Sequence, residues 1–117
     1  MKRNLSLTAL TLCTLAALGS SHAQNAGEQA YACTPASVAV YPQRIHVRCA
    51  QAVQGFTFFA LGLQNTAHTQ RVLSLLDSAL SSGRRIYVWS DLKDTSGVSI
   101  GCQANDCRLL SSVEVLR

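Results

Sequence analysis

Residues 66–90 read "TAHTQRVLSLLDSALSSGRRIYVWS" and contain the strongest structural signal in the chain. Asn65 or Thr66 can cap a helix that begins here, and Gly83 is a typical residue at a helix end. Between these caps, apolar residues recur at helical spacing, namely Val72, Leu73, Leu75, Leu76, Ala79 and Leu80. The stretch therefore predicts one amphipathic helix that is followed, directly after its closing glycine, by a β-strand.

Strands are predicted before the helix as well. Alternating β-branched runs on both sides of Pro42 predict a hairpin over residues 37–49, because proline presets a turn position. Residues 55–63, "GFTFFALGL", carry apolar side chains on both faces, so we expect both faces of this strand to be covered. Residues 24–31 are polar without a period, and we interpret them as a loose leader.

After the helix, residues 84–91 form the fourth predicted strand, with Tyr87 and Trp89 opposite Ile86 and Val88. "VSIGC" and "CRLLSSVEVLR" read as closing strands. Three strands, a helix and two or three further strands predict a β-rich α+β fold. Its expected form is a small five- to six-stranded barrel of the oligomer-binding type with one amphipathic helix, as a single domain over residues 37–117.

The first 23 residues show the pattern of a cleaved signal peptide. Lys2 and Arg3 precede an uncharged apolar run over residues 5–18, and Ala23 closes a small-x-small cleavage site. That run is shorter than the ~20 residues that a membrane-spanning helix needs. We expect residues 24–36 to be an N-terminal leader of the mature chain. The protein is expected to be exported, either to the periplasm or out of the cell, with no membrane span.

The charge balance argues against nucleic acid as a partner. The chain has ten Lys and Arg residues and six Asp and Glu residues, a net charge of +4. Removal of the signal peptide takes away Lys2 and Arg3, so eight basic and six acidic residues remain and the net charge is about +2. The remaining basic residues are not clustered as in a nucleic-acid-binding surface.

Cleavage also removes Cys13 and leaves four cysteines, an even number that indicates two disulfides in a short exported chain. Four cysteines allow three pairings. Cys33 and Cys49 are each eight positions from Tyr41, near the centre of the predicted hairpin, and so lie within reach of each other.

The other two cysteines enclose the segment "GCQANDC", residues 101–107. Structural zinc sites pair ligands across about two to four residues, and only Cys102 and Cys107 meet that spacing here. Redox motifs have two residues between their cysteines, whereas this pair has four. We therefore predict the disulfides Cys33–Cys49 and Cys102–Cys107, with no metal site and no cofactor.

Arg44, His46 and Arg48 alternate along one strand and therefore share one face. Such a face either binds an anionic sugar or an acidic partner, or is simply the solvated side of a two-layer sheet. Tyr41 lies just before this strand and is suited to stacking on a sugar ring.

The sequence has no G-x-S-x-G, no H-E-x-x-H and no glycine-rich phosphate loop. We therefore predict no catalytic residues and no enzyme activity; in the least favoured hypothesis, a small hydrolase, His46 would be the base. A second hypothesis is a periplasmic inhibitor or envelope protein-interaction domain, in which the loop Leu92–Gly97 inserts into a partner enzyme.

The helix–glycine–strand run and the closing "GCQANDC" resemble the B subunits of pentameric toxins of the subtilase-cytotoxin and typhoid-toxin type. The likeness covers residues 37–107 as architecture. It implies an oligomer-binding fold, a homo-oligomeric ring of five, and glycan recognition, often of sialic acid, on the outer strands. Ser37 stands where that family places its sugar-binding serine. In that family the other disulfide links two later strands, whereas Cys33 precedes the first predicted strand here.

The expectation from these observations is an exported, non-enzymatic binding module whose partner is a glycan or a protein, and the resemblance implies a role like that of a toxin B subunit. Its candidate ligand-binding residues are Ser37, Tyr41, Arg44, His46 and Arg48.

Overall fold

A computed structural model describes residues 27–117, so the predicted signal peptide and the first residues of the predicted leader lie outside the described part. The elements in chain order are β1 Gln29–Cys33, β2 Pro35–Val40, β3 Arg44–Val53, β4 Phe56–Gly62, α1 Thr66–Ser82, β5 Ile86–Ser90, a 3-10 helix Ser96–Ile100, β6 Cys107–Leu109 and β7 Ser112–Val115. The β-rich α+β class is confirmed. Of the helices in residues 27–117, none is long and apolar enough to cross a membrane.

The described strands form two sheets and not a closed barrel. One sheet has the order β1-β5-β7 and is antiparallel; the other has the order β2-β3-β4-β6, with β6 parallel to β4. Seven strands replace the predicted five to six because two chain segments bend and enter both sheets. Thr34 separates β1 from β2. At the second bend the Leu110 amide donates to Ala60 in one sheet and the Ser111 amide donates to Trp89 in the other.

The predicted hairpin is confirmed as β2 and β3. Val40 lies opposite Ile45, and the amide of Tyr41 donates to the Arg44 carbonyl across the turn at 2.7 Å. Because strand side chains alternate, this register places every second residue of β3 on the outer face.

The predicted helix and both of its caps are also confirmed. The Asn65 side chain accepts a hydrogen bond from the His68 amide at 3.1 Å, and Gly83 closes the helix in the left-handed conformation with φ 67°. Only part of the predicted apolar face is buried, since Leu75 is 41% exposed. The inward-facing residues are Thr69, Val72, Leu76 and Ala79.

The core lies where α1 and the inner faces of the two sheets meet. Its largest fully buried side chains include Phe59, Ile45, Leu76, Ile86 and Val47. The predicted Cys33–Cys49 disulfide is confirmed and belongs to this cluster, where it ties β1 to β3. This disulfide therefore connects the two sheets inside the core.

Two local predictions are wrong. Residues 24–31 were expected to be a loose leader, but residues 29–31 belong to β1, which pairs with β5 from Gln29 opposite Ser90 to Cys33 opposite Ile86. The partner strand supplies this order, which needs no periodicity within β1 itself.

The segment "VSIGC" is not a strand, because residues 96–100 form the 3-10 helix, which Gly101 ends at φ 91°. Gly97 is buried so tightly that a Cβ there would lie 2.9 Å from the Cys102 Cβ. The "GCQANDC" loop consequently joins a 3-10 helix to β6, and not two strands as predicted.

Candidate functional site

The outer face of the four-stranded sheet carries four of the five candidate binding residues, and the fifth, Tyr41, lies in the turn between β2 and β3. Within β3, Ile45 and Val47 are buried, so Arg44, His46 and Arg48 point outward between and beside them. Ser37 pairs with Arg48 across β2 and β3, and its hydroxyl accepts a hydrogen bond from the Arg48 Nε at 3.3 Å.

A cavity of about 230 Å³ opens on this face. Its lining comes from β3, β4, β6 and the loop before β6, and consists of Arg44, His46, Phe58, Gly101, Gln103, Asp106 and Cys107. Two of the five candidates, Arg44 and His46, are thus in the wall. Ser37 of β2 and Arg48 of β3 are on the same face of the sheet but outside the wall, and Tyr41 contacts both Arg44 and His46.

Arg44 is held on two sides. Its Nη1 donates to the Ile100 carbonyl at 3.1 Å, and its Cζ lies 4.3 Å from the centre of the Tyr41 ring, a cation–π contact. Gly101 packs beneath the guanidinium, since a Cβ there would lie 2.5 Å from the Arg44 Nη1. The guanidinium position therefore depends on a glycine at residue 101.

His46 lies between two aromatic rings. The ring centres of Tyr41 and Phe58 are each 5.0 Å from its own. Burial, and then the neighbouring positive charge of Arg44, lower the pKa of His46 below its ordinary value of 6.5. At neutral pH the imidazole is accordingly uncharged, with one ring nitrogen that donates and one that accepts hydrogen bonds.

The wall opposite β3 is the disulfide loop. The predicted Cys102–Cys107 bond is confirmed, with its Cα atoms 5.1 Å apart. Both cysteines pack against Ala60 of β4, and the Asp106 carbonyl accepts hydrogen bonds from the amides of Thr57 and Phe58, each at 3.1 Å. The loop is thereby fastened to β4, which fixes where Gln103 and Asp106 face the cavity.

Sequence reasoning missed four residues of this wall: Phe58, Gly101, Gln103 and Asp106. Phe58 was interpreted only as part of a covered strand, and the other three as a covalently closed loop. The available signal was the alternation of β4, which places Phe58 on the same face as Ala60, away from the buried Phe59.

The other mature histidine is placed differently. The His68 Nε2 lies 2.6 Å from the Ser111 backbone carbonyl and donates to it, while the Ser111 hydroxyl donates to Glu28. A serine, a histidine and a glutamate therefore lie close together, but the histidine faces a carbonyl and not the hydroxyl that it would have to activate. Within residues 27–117, no three His, Cys, Asp or Glu side chains are grouped to hold a metal ion.

No protein-family model matches the chain, and neither a curated protein nor a solved structure matches it. The likeness to toxin B subunits stays a prediction from the two sequence motifs.

Proposed function

We propose that this protein is an exported, non-enzymatic binding module that holds the terminal residue of an anionic glycan in the cavity between β3, β4 and the 101–107 loop. The observation that carries the proposal is the set of polar groups that line the cavity with the Phe58 ring. They are the guanidinium of Arg44, the neutral imidazole of His46, the amide of Gln103 and the carboxylate of Asp106. Few convergent polar groups around an apolar surface are typical of small-molecule sites.

The chemistry of each group suits an acidic sugar. A guanidinium has five N–H donors, and Arg44 uses one on the Ile100 carbonyl, so others are left for a ligand carboxylate. Gln103 can donate to and accept from sugar hydroxyls, the Asp106 carboxylate can accept from them, and Phe58 offers an apolar surface to the ring. The Arg44 guanidinium in the same wall offsets the repulsion between Asp106 and a ligand carboxylate. At about 230 Å³ the cavity is smaller than typical drug-sized sites of roughly 300–1,000 Å³, which favours one terminal sugar residue.

The strand pairing supports an oligomer-binding-type barrel in partly open form. Neighbouring strands follow the order β2-β3-β4-β6 in one sheet and β7-β5-β1 in the other. The second bend joins β6 to β7, and Thr34 joins β1 to β2, so the chain passes from one sheet to the other at both ends. In that fold, ligands bind on the face of the second and third strands and on the adjoining loops. Those positions correspond to β3, β4, the turn at Tyr41 and the segment before β6, where the cavity lies.

Export is part of the proposal. Two disulfides in a chain of this size favour an oxidising compartment, in agreement with the signal-peptide pattern of residues 1–23. A ring of five subunits, expected from the resemblance, completes the proposal, and light scattering at micromolar concentration tests it: a monomer would contradict the ring.

The binding experiment uses the oxidised, exported protein on a glycan array that contains sialylated glycans and their desialylated counterparts. We expect signal on the sialylated set and at least tenfold weaker binding for Arg44→Gln, since truncating one partner of a charged pair costs about 2–5 kcal/mol. Arg84→Gln is the matched control because Arg84 is exposed at the far end of α1. Equal binding by Arg44→Gln and the wild type would overturn the proposal.

The loop Leu92–Gly97 supports the inhibitor as a second candidate. The buried Arg108 donates to the Leu92 carbonyl at 2.6 Å, and the Asp91 and Asp94 side chains accept from the amides of Lys93 and Ser96 at 3.0 and 2.9 Å. The Ser96 amide, as the main cause, holds the pKa of Asp94 below its ordinary value.

The loop exposes Lys93, and a trypsin-like specificity pocket recognises basic side chains. The test is a trypsin inhibition assay with the wild type and Lys93→Ala. Inhibition that is lost in the variant would favour this candidate, and no inhibition by the wild type would remove it.

A further inference from the structure

Two aromatic side chains lie on the outer face of the three-stranded sheet, away from the cavity described above. Within β5, Ile86, Val88 and Ser90 are buried, whereas Tyr87 is 37% exposed and Trp89 is half-buried. Neither aromatic residue belongs to the core clusters. Since strand residues two apart lie about 6.8 Å from each other on one face, the two rings are neighbours.

The strands on both sides repeat one pattern. Ala32, Tyr87 and Glu114 form one row across the sheet, and the next row on this face is Ala30, Trp89 and Ser112. Each row therefore has a methyl group, an aromatic ring and a polar side chain in the same order. The alanines place only methyl groups on one side of the two aromatic residues, and the polar side chains lie on the other side.

We propose that this surface, the β5 platform (Ala30, Ala32, Tyr87, Trp89, Ser112 and Glu114), is a second carbohydrate site that stacks two consecutive rings of a flat, neutral β-1,4-linked oligosaccharide. Stacking needs adjacent aromatic side chains on one face, and Tyr87 and Trp89 can supply them at small entropic cost because each has only two side-chain torsions. The Glu114 carboxylate and the Ser112 hydroxyl lie where they can accept hydrogen bonds from sugar hydroxyls.

Charge selects among the ligands that could stack here. Glu114 is the charged residue within the two rows, and the exposed Arg85 lies two positions before Tyr87, at the end of the same face. An anionic ligand would be repelled by Glu114 and a cationic ligand by Arg85. A neutral glycan meets no such repulsion and uses the carboxylate as an acceptor. The ligand of the β5 platform therefore differs in charge from that of the Arg44 cavity, and the two proposals are independent.

The experiment uses the fact that Trp89 is the only tryptophan in the chain. The oxidised protein is titrated with cellohexaose and with chitohexaose while its tryptophan emission is recorded. We expect a saturable blue shift with at least one of the two sugars, because a stacked ring excludes water from Trp89. Calorimetry with the same sugar should show binding to be about tenfold weaker in Tyr87→Ala and in Trp89→Ala.

Two variants separate this site from the cavity. His46→Ala should bind the neutral sugar as the wild type does, whereas Glu114→Lys should weaken binding and leave the fold intact, since Glu114 is exposed. No saturable change with either sugar would overturn the β5 platform without affecting the cavity proposal. So would a loss of neutral-sugar binding in His46→Ala, which would place the sugar in the cavity. An emission shift that follows protein concentration alone, with dimers in light scattering, would assign the face to a second copy and overturn the proposal.

Discussion

The two disulfides of this protein stabilise different things. Cys33–Cys49 lies in the main core and ties β1 of one sheet to β3 of the other. Cys102–Cys107 closes a local loop, packs on the outer side of β4 and forms part of the cavity wall. Cys33–Cys49 connects the two sheets. Cys102–Cys107 instead shapes the cavity wall and does not connect the two sheets.

Removing the Cys33–Cys49 bond should have the largest effect on stability. In the double variant Cys33→Ala/Cys49→Ala, the loss of loop closure over a separation of 16 residues is worth about 3 kcal/mol in the chain-entropy model, and two buried side chains are also truncated. Equilibrium urea unfolding measures the free energy. A decrease below about 1 kcal/mol would mean that the two sheets hold together without this bond.

Removing the Cys102–Cys107 bond should cost less stability than removing Cys33–Cys49 but should weaken ligand binding more. For a separation of 5 residues, the same model assigns about 2 kcal/mol to Cys102→Ala/Cys107→Ala. We expect affinity for a sialylated glycan to fall at least tenfold, because Gln103 and Asp106 are no longer preorganised. The Cys33→Ala/Cys49→Ala variant is the control: where it remains folded, it should bind as the wild type does. Equal losses of binding in both variants would contradict the proposed division between fold and site.

The sequence predicted the elements that are determined locally. Asn65, Gly83 and the apolar spacing between them specify α1 with both caps, and Pro42 marks the hairpin turn. Both disulfides followed from spacing within or beside such elements. These signals are short-range, so one sequence is enough to read them.

The missed features depend on contacts between distant parts of the chain. β1 is ordered by its pairing with β5, more than fifty positions away, so "QAYAC" needs no alternation of its own. The 3-10 helix replaces a predicted strand because Gly97 must pack against Cys102 and Leu109. The cavity combines Phe58 with Gln103 and Asp106, and no local pattern shows that β4 and this loop meet.

Gly101→Ala tests whether the disulfide loop acts through Arg44. Alanine at φ 91° should cost about 1–2 kcal/mol of stability, and its Cβ would displace the Arg44 Nη1, which lies 2.5 Å from the ideal Cβ position. Gly83→Ala is the matched control, since it has φ 67° but no atom within 4 Å of its added Cβ. Urea unfolding should show similar losses of stability in both, with glycan binding weakened only in Gly101→Ala. Normal binding by Gly101→Ala would show that the Arg44 position does not matter.

The smallest expected effect is a pH dependence that belongs to the cavity. Because the folded protein lowers the pKa of His46 below 6.5, the unfolded chain binds the proton more tightly. Stability from this group is complete above pH 6.5 and is lost as the pH falls below it. The decrease, below about 1 kcal/mol for a partly exposed group, should be visible in urea midpoints between about pH 5 and pH 8 and absent in His46→Gln.

The same histidine should make binding respond to pH with the opposite sign. A ligand carboxylate beside His46 favours the protonated ring, so affinity for a sialylated glycan should rise over the acidic range in which the free protein loses stability. Both slopes should persist in Cys33→Ala/Cys49→Ala. In Cys102→Ala/Cys107→Ala the wall loosens and water reaches the imidazole, so the stability slope should shrink, because burial is the larger cause of the lowered His46 pKa. A slope of unchanged size there would mean that β3 and β4 alone keep His46 buried, and the second disulfide would then position only Arg44 and the loop side chains.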